Sequence, residues 1–299
     1  MKLLVIGGSY FLGKHFVQLA SNNHEITVIN RGNRPFNQPH ITEYKLDRHD
    51  VHALSSLPNS HFDAIIDFCA YQKNDIATIV TNLKATCNQY IFISTCDVYK
   101  RNTSQYMDEN SEFETRTFDG EAGEYIKGKV ALEQELISCC KERGIAYSSF
   151  RPAFIFGPDN YAPREGIYFH WITSAGQIIH PTDATGQFQM VYVKDVALSI
   201  LHACNNPIAY NKAYNLCNPE ILDYDSFADL LAKATGIPFE KATITTDMII
   251  QKNIPLPFPL TKEESQYYES SLSKELNIQY TPLITGMSET FADYMQTRG

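Results

Sequence analysis

Tyr125-Ile126-Lys127-Gly128-Lys129 sets a phenol and an ammonium four residues apart, on one face of a helix. A cation beside the ring favours phenolate. Drawing a tyrosine from its free pKa near 10 toward neutrality takes roughly 4 kcal/mol of such stabilisation, and the pair would then serve as a general acid/base. The spacing alone is common: with 18 tyrosines in the chain, composition yields roughly one such pair by chance, and Tyr10 with Lys14 forms another. Position separates the two. Tyr10 lies in a glycine-rich turn, whereas Tyr125 opens a helix that follows Ile93-Ser94-Thr95-Cys96-Asp97-Val98-Tyr99. Thr95 falls at the carboxyl end of a strand, where doubly wound sheets bind ligands, and its hydroxyl is suited to polarising a carbonyl oxygen. Taken singly, Thr95 reads equally as a strand-end residue and Tyr125 as a surface tyrosine. At this spacing together they read as a site.

The second motif is Gly7-Gly8-Ser9-Tyr10-Phe11-Leu12-Gly13, between an apolar strand and a helix. Free backbone N–H groups and the positive end of the helix dipole suit a pyrophosphate there, and glycine permits the tight turn and close approach. Where a G-x-x-G-x-x-G turn carries its middle glycine, this chain has Tyr10, so the phosphates must pass its ring or the turn must shift. The next strand ends in Asn30-Arg31-Gly32, with Arg34 nearby, where an acidic residue would grip the ribose 2′-OH of NAD. A guanidinium instead suits a 2′-phosphate, which favours NADP over NAD. The alternative is a pair of solvated arginines on a loop.

These residues need a frame. Short β-branched runs alternate with helical patterns in the first half, the mark of βαβ units feeding a parallel sheet. Strands are expected at Leu3 to Ile6, Ile26 to Ile29, Ala64 to Asp67, Tyr90 to Ser94 and Ala146 to Phe150. Helices are expected at Leu12 to Ala20, Asp50 to Leu57, Asp75 to Ala85 and Tyr125 to Arg143, the last stopped by Gly144. After Arg151-Pro152 the pattern is broken by Gly157-Pro158, Pro163, Gly166 and Gly176 until Met190-Val191-Tyr192-Val193. Asp223 to Thr235 and Thr261 to Leu276 look helical, and the Pro255 to Pro259 stretch between them extended. The expected fold class is α/β, a doubly wound parallel sheet (Rossmann) with a smaller C-terminal substrate lobe. Residues 1–155, with returning segments at about 187–217, would form the dinucleotide-binding domain, and 156–186 with 218–299 the substrate lobe.

Composition narrows the function. The 299 residues carry 34 acidic against 25 basic side chains, a net charge of −9 that repels a nucleic-acid backbone overall. Seven cysteines without a C-x-x-C pair read as free thiols in a reducing compartment. The apolar start stops at Gly7-Gly8, too short for a signal-peptide core, and no uncharged run approaches the ~18 residues of a membrane span. A cytoplasmic enzyme is the expectation, with no membrane and no nucleic-acid partner.

The chain resembles the extended short-chain dehydrogenase/reductase family in its NAD-dependent epimerase/dehydratase branch, especially less typical members with an aromatic or basic residue in the glycine turn. The resemblance rests on Gly7 to Gly13, Asn30-Arg31-Gly32, Leu46-Asp47-Arg48, Asp67-Phe68-Cys69-Ala70-Tyr71, Ser94 to Tyr99, Tyr125 to Lys129, Arg151-Pro152 with Gly157-Pro158, and Val193-Lys194-Asp195-Val196-Ala197. It implies that Thr95, Tyr125 and Lys129 are the catalytic triad and that Lys129 also reaches the nicotinamide ribose. It further implies cofactor contacts by the turn residues Gly7, Gly8, Ser9, Tyr10, Phe11, Leu12 and Gly13, by Asn30, Arg31 and Arg48, and by Asp47 at the adenine. Phe68, Cys69 and Ala70 would line the ribose and pyrophosphate path, and Pro152 and Ala153 would face the nicotinamide. A homodimer through two helices per subunit, one bearing the tyrosine, and a small-molecule substrate chosen by the second lobe are implied as well.

One departure concerns the substrate: Gln187-Phe188-Gln189 offers no arginine where nucleotide-sugar enzymes of the family hold a diphosphate. Other signals read blandly. His49-Asp50-Val51-His52 lacks further ligands at metal spacing, so no metal is expected. Cys96 is expected as a buried small hydrophobe rather than a reactive thiol. Tyr161, Tyr168, Phe169 and Trp171 suit a pocket or a core equally. The leading expectation is hydride transfer at a carbinol or carbonyl carbon, as reduction, epimerisation or dehydration. The rival is a cofactor-sensing or RNA-associated binding protein on the same fold, using a local basic patch at Arg31, Arg34 and Arg48.

Overall fold

The structure is a computed structural model and describes residues 1–36, 38–102 and 104–297; the last two positions of the lobe expected to run to 299 lie outside it. Eleven strands are described: β1 (Lys2–Ile6), β2 (Glu25–Asn30), β3 (Ile41–Lys45), β4 (His61–Asp67), β5 (Thr86–Ile93), β6 (Ala146–Pro152), β7 (Phe154–Phe156), β8 (Gln177–Pro181), β9 (Met190–Tyr192), β10 (Lys212–Leu216) and β11 (Glu240–Ile244). Between them run α1 (Phe11–Ala20), α2 (Val51–Ser56), α3 (Asp75–Asn82), α4 (Gly120–Arg143), α5 (Glu165–Ala175), α6 (Val193–Ala203), α7 (Tyr224–Thr235), α8 (Thr246–Gln251) and α9 (Leu283–Thr297).

Seven strands form one parallel sheet in the order β10-β6-β5-β4-β1-β2-β3. Alternate side chains of each strand enter opposite cores, which is why the strands read as continuous apolar runs. Leu3 and Val5 join one core with Phe16, Val17 and Ile200 from α1 and α6. Leu4 and Ile6 join the other with Ile76, Ile79, Leu132 and Leu136 from α3 and α4. The chain runs outward from β1 to β2 and β3, then returns to place β4 on the other side of β1, so the strand order reverses between β1 and β4. Loops leaving the carboxyl ends of those two strands diverge and open a crevice.

The remaining residues build around two small parallel pairs, β7 with β9 and β8 with β11. Aromatic side chains fill this part: Phe188 stacks on Phe258 at 4.0 Å, with Phe154, Tyr168 and Phe227 packed around them. Two expectations are corrected. The helix expected to start at Tyr125 starts at Gly120, so Tyr125 stands in its second turn. Thr261 to Leu276 is not a helix but two short 3-10 turns, Lys262–Glu264 and Ser271–Leu276, joined by an extended run. Tertiary hydrogen bonds override the helical pattern there: Tyr268 N–H donates to the buried Gln189 side chain, and Met107 N–H and Glu269 N–H bond across the 107–268 bridge.

Candidate active site

A cleft of about 720 Å³ crosses the carboxyl ends of the sheet strands. It is lined by the whole turn 7–13 after β1, by Asn30 and Arg31 after β2, and by Asp47 and Arg48 after β3. Phe68 and Cys69 after β4, Thr95 after β5, Tyr125 and Lys129 on α4, and Pro152 and Ala153 at β6 complete it. Ala70 of the expected set is buried instead; its carbonyl accepts a hydrogen bond from Lys129 Nζ at 2.9 Å, so it supports the wall from behind.

In the glycine turn, Gly7 and Gly8 adopt φ of +85° and +81°, and a β-carbon on Gly13 would lie 2.4 Å from the Gly8 α-carbon. Only glycine suits these positions. No side chain caps the start of α1 and no acidic residue occupies its first turn, which leaves the helix N-terminus electropositive and open. This cradle fits a dinucleotide pyrophosphate. Tyr10 does not spoil it: its backbone is ordinary extended chain, φ −129° and ψ 147°, and the positive φ falls on Phe11 at +36°. The Tyr10 ring turns outward instead, with the Arg34 guanidinium 4.4 Å from its centroid and Tyr161 edge-on at 6.4 Å.

At the end of β2, the Asn30 amide donates to Ser9 Oγ at 3.0 Å and to Glu43 Oε1 at 2.7 Å, and its oxygen accepts Gly32 N–H. Arg31 is exposed. A His49 backbone N–H, with help from the Arg31 charge, holds the Asp47 carboxyl below its ordinary range. Arg48 behaves differently from the expected basic patch. It is 7% exposed, with two Nη groups 2.9 and 2.8 Å from the Asp67 carboxylate and a further bond to Asp75 O at 2.7 Å. Tyr90 donates to the same carboxylate at 2.6 Å. The guanidinium thus ties the chain after β3 to the end of β4 in the cleft floor and cannot extend a surface patch.

Thr95, Tyr125 and Lys129 meet at the far end of the cleft. The Thr95 hydroxyl lines the cleft with the Tyr125 phenol and donates to Asp97 Oδ2 at 3.1 Å, while accepting Asp97 N–H. Tyr125 retains 38% accessibility and lines both the cleft and the chamber beyond it, yet burial raises the phenol above its ordinary pKa. The Asp97 charge raises it further; the Thr95 hydroxyl and the Arg164 charge oppose. The expected acidification by Lys129 is therefore corrected: the phenol is raised, and Lys129 is not among the groups that shift it. Lys129 Nζ is 5.8 Å from the Tyr125 ring centroid and donates to Ala70 O and to Ile93 O at 2.8 Å rather than to the phenol. Burial lowers its pKa to about 8, with Asp67 resisting.

α4 reaches this position because Gly128 lets it lie against the preceding loop: a β-carbon there would sit 2.3 Å from Tyr71 O. Sequence reasoning missed Asp97 and Arg164, though Asp97 was visible two residues after Thr95. Arg164 donates to Ile155 O at 3.0 Å and lies over the Phe154 ring, and no local pattern marks it. Beyond Tyr125 a second chamber of about 380 Å³ is lined by Arg101, Gln187, Gln189, Gln266 and the Phe188–Phe258 stack.

Other candidates fall away from the chemistry. Cys96 is buried with its thiol donating to Arg151 O. Tyr168 and Phe169 are core and Trp171 packs on it, whereas Tyr161 lines the cleft mouth. His49 bonds Asp75 at 2.8 Å, and among the described residues no three His, Cys, Asp or Glu side chains are grouped to hold a metal. No described helix is long and apolar enough to cross a membrane.

A seven-stranded doubly wound sheet with an open glycine cradle at its switch point, and a hydroxyl, a phenol and an ammonium at one end of the cleft, defines a protein of the Rossmann dinucleotide class. Within that class, the model of the NAD dependent epimerase/dehydratase family matches residues 3–217, and the chain belongs to this family. Chloroplast stem-loop binding protein of 41 kDa b from Arabidopsis thaliana is 28% identical over 253 residues, 79% of this chain and 64% of that protein. Agroclavine dehydrogenase from Claviceps fusiformis is 23% identical over 157 residues, 51% of this chain and 53% of that protein. The chain thus spans between about half and two thirds of the length of these relatives. A UDP-glucose-4-epimerase from Stenotrophomonas maltophila, solved with bound NAD and formylated UDP-arabinopyranose, shares the fold. Its TM-score is 0.80 at 14% identity, with 100% of this chain and 99% of that chain covered.

Proposed function

We propose that the chain is a dinucleotide-dependent oxidoreductase of the epimerase/dehydratase type, acting at a secondary alcohol or ketone of a sugar-like or small carbonyl substrate. The observation that carries this reading is the convergence of Thr95, Tyr125 and Lys129 at one end of a cleft whose other end is the glycine cradle. When bound, the dinucleotide supplies hydride exchange at its nicotinamide. The chain's residues handle the proton and the geometry. Tyr125, kept protonated by burial, is the acid that donates its phenolic proton to the substrate oxygen in reduction and recovers it in oxidation. Thr95 holds the same oxygen. Lys129 uses two of its three N–H donors on carbonyls of the site walls, which fixes its charge in place and leaves one donor for a ribose hydroxyl.

Arg31 and Arg34 at the cleft mouth support NADP over NAD, because both line the cleft beside the end of β2, whereas Glu43 is engaged by Asn30 and does not line it. The second chamber, with amides, stacked aromatics and the carboxylates Asp97 and Glu264 in its lining as well as Arg101, supports a substrate whose tail is neutral and planar more than one with a diphosphate. Seven unpaired cysteines support a cytoplasmic setting, and exposed Ile137 on α4 supports a homodimer through that helix. The test is turnover of purified protein against sugar-nucleotide and small-ketone panels with both cofactors. Tyr125→Phe is expected to lower kcat by about 10²–10⁴-fold; full activity in that variant would remove the assignment.

A second reading has one observation behind it, the similarity to a relative named for stem-loop binding. Under it the chain would retain RNA through Arg31 and Arg34. Salt-dependent RNA retention that is lost on reversing those two charges would favour it.

A further inference from the structure

We propose that Tyr10 is a positioning residue for cofactor choice: its ring holds the Arg34 guanidinium at the mouth of the cleft as the edge that receives the ribose 2′-phosphate. The inference rests on the NADP reading above and names the pair of residues that carries it.

Three observations lead to it. The Arg34 guanidinium carbon is 4.4 Å from the centroid of the Tyr10 ring, within cation–π range, and both residues line the cleft beside Arg31 at the end of β2. The ring is itself braced from the opposite wall by Tyr161, edge-on at 6.4 Å, on a loop that Asp159 ties to Lys14 of α1 at 2.7 Å. Finally, the extended backbone at Tyr10 needs no glycine, and the left-handed conformation is displaced to Phe11 at φ +36°. The strain at Phe11 persists only where the surroundings hold it.

The chemistry follows from how a guanidinium presents itself. With one face against an aromatic ring, its N–H donors point outward in the plane, where a phosphate can accept two of them side by side. Among the described residues no carboxylate lies within ion-pair distance of Arg34, so these donors are available. A long arginine on an exposed loop would otherwise lose much rotamer freedom on binding; stacked on Tyr10 it is already ordered. A glycine at position 10 would leave it unsupported.

The test compares two half-cofactors that differ only in the 2′-phosphate, 2′,5′-ADP and 5′-AMP, by calorimetric titration of the intact chain. The parent is expected to prefer 2′,5′-ADP by about tenfold or more. Tyr10→Phe, which keeps the ring, retains that ratio. Tyr10→Leu, which keeps bulk without a π face, and Arg34→Ala each reduce it to about threefold or less, and the double variant falls no further than either alone. A ratio that survives in Tyr10→Leu and Arg34→Ala but collapses in Arg31→Ala overturns the inference while leaving the NADP reading intact. Equal affinity of the parent for the two probes overturns the NADP reading, and the inference with it.

Discussion

The floor and the mouth of the cleft both carry cations, but they hold them in opposite ways. On the floor, Arg48 is bound by both oxygens of Asp67 and by Asp75 O, and Lys129 by two backbone carbonyls; both are nearly inaccessible. At the mouth, Arg31 is exposed and Arg34 rests on an aromatic face. A buried, paired cation fixes the position of what surrounds it, whereas an exposed one on a ring keeps its donors for a ligand. The contrast separates residues that build the site from residues that select what enters it.

The comparison breaks most sharply at Asp67. Asp67→Ala strands the Arg48 charge in the floor, and unfolding by denaturant should show a loss of about 3–5 kcal/mol. The same experiment on Arg31→Ala or Arg34→Ala should stay within about 0.5 kcal/mol of the parent. Comparable losses at floor and mouth would erase the distinction.

Lys129 gives the next largest effect, through pH. Its folded-state pKa is about 8, against about 10.4 in an unfolded chain. Between those values the unfolded chain binds more protons, so stability rises with pH across that window and the protonated cation costs the fold about 3 kcal/mol below it. Lys129→Met should flatten that rise in a stability-versus-pH series; an unchanged slope would show that the ammonium is not desolvated as the geometry requires. A smaller effect, about 1–3 kcal/mol, is expected for Gly128→Ala, whose β-carbon would press on Tyr71 O. Its loss should be accompanied by a lower kcat, because α4 carries both Tyr125 and Lys129.

How much of this was legible in the sequence follows the same division. Strands buried on both faces read plainly as apolar runs, and the glycine turn and the Tyr125–Lys129 spacing pointed to one cleft, because turn and helix geometry are local. The state of those groups was not legible. Nothing in the local pattern says that burial and the Asp97 charge raise the Tyr125 phenol, that Arg48 meets Asp67 nineteen residues on, or that Arg164 approaches from a distant loop. These depend on which elements the topology brings together. The error at Thr261 to Leu276 has the same origin: a helical pattern yielded to hydrogen bonds from Gln189 and Met107, far away in the chain.

The central claim is that a pyridine dinucleotide lies across this cleft from the glycine cradle to Tyr125. A crystal structure of the chain grown with NADP tests it directly. The account predicts the pyrophosphate on the first turn of α1, the 2′-phosphate at the Arg34 edge and the nicotinamide beside Tyr125. A dinucleotide bound elsewhere, or a cleft closed to it by the Tyr10 ring, would contradict it.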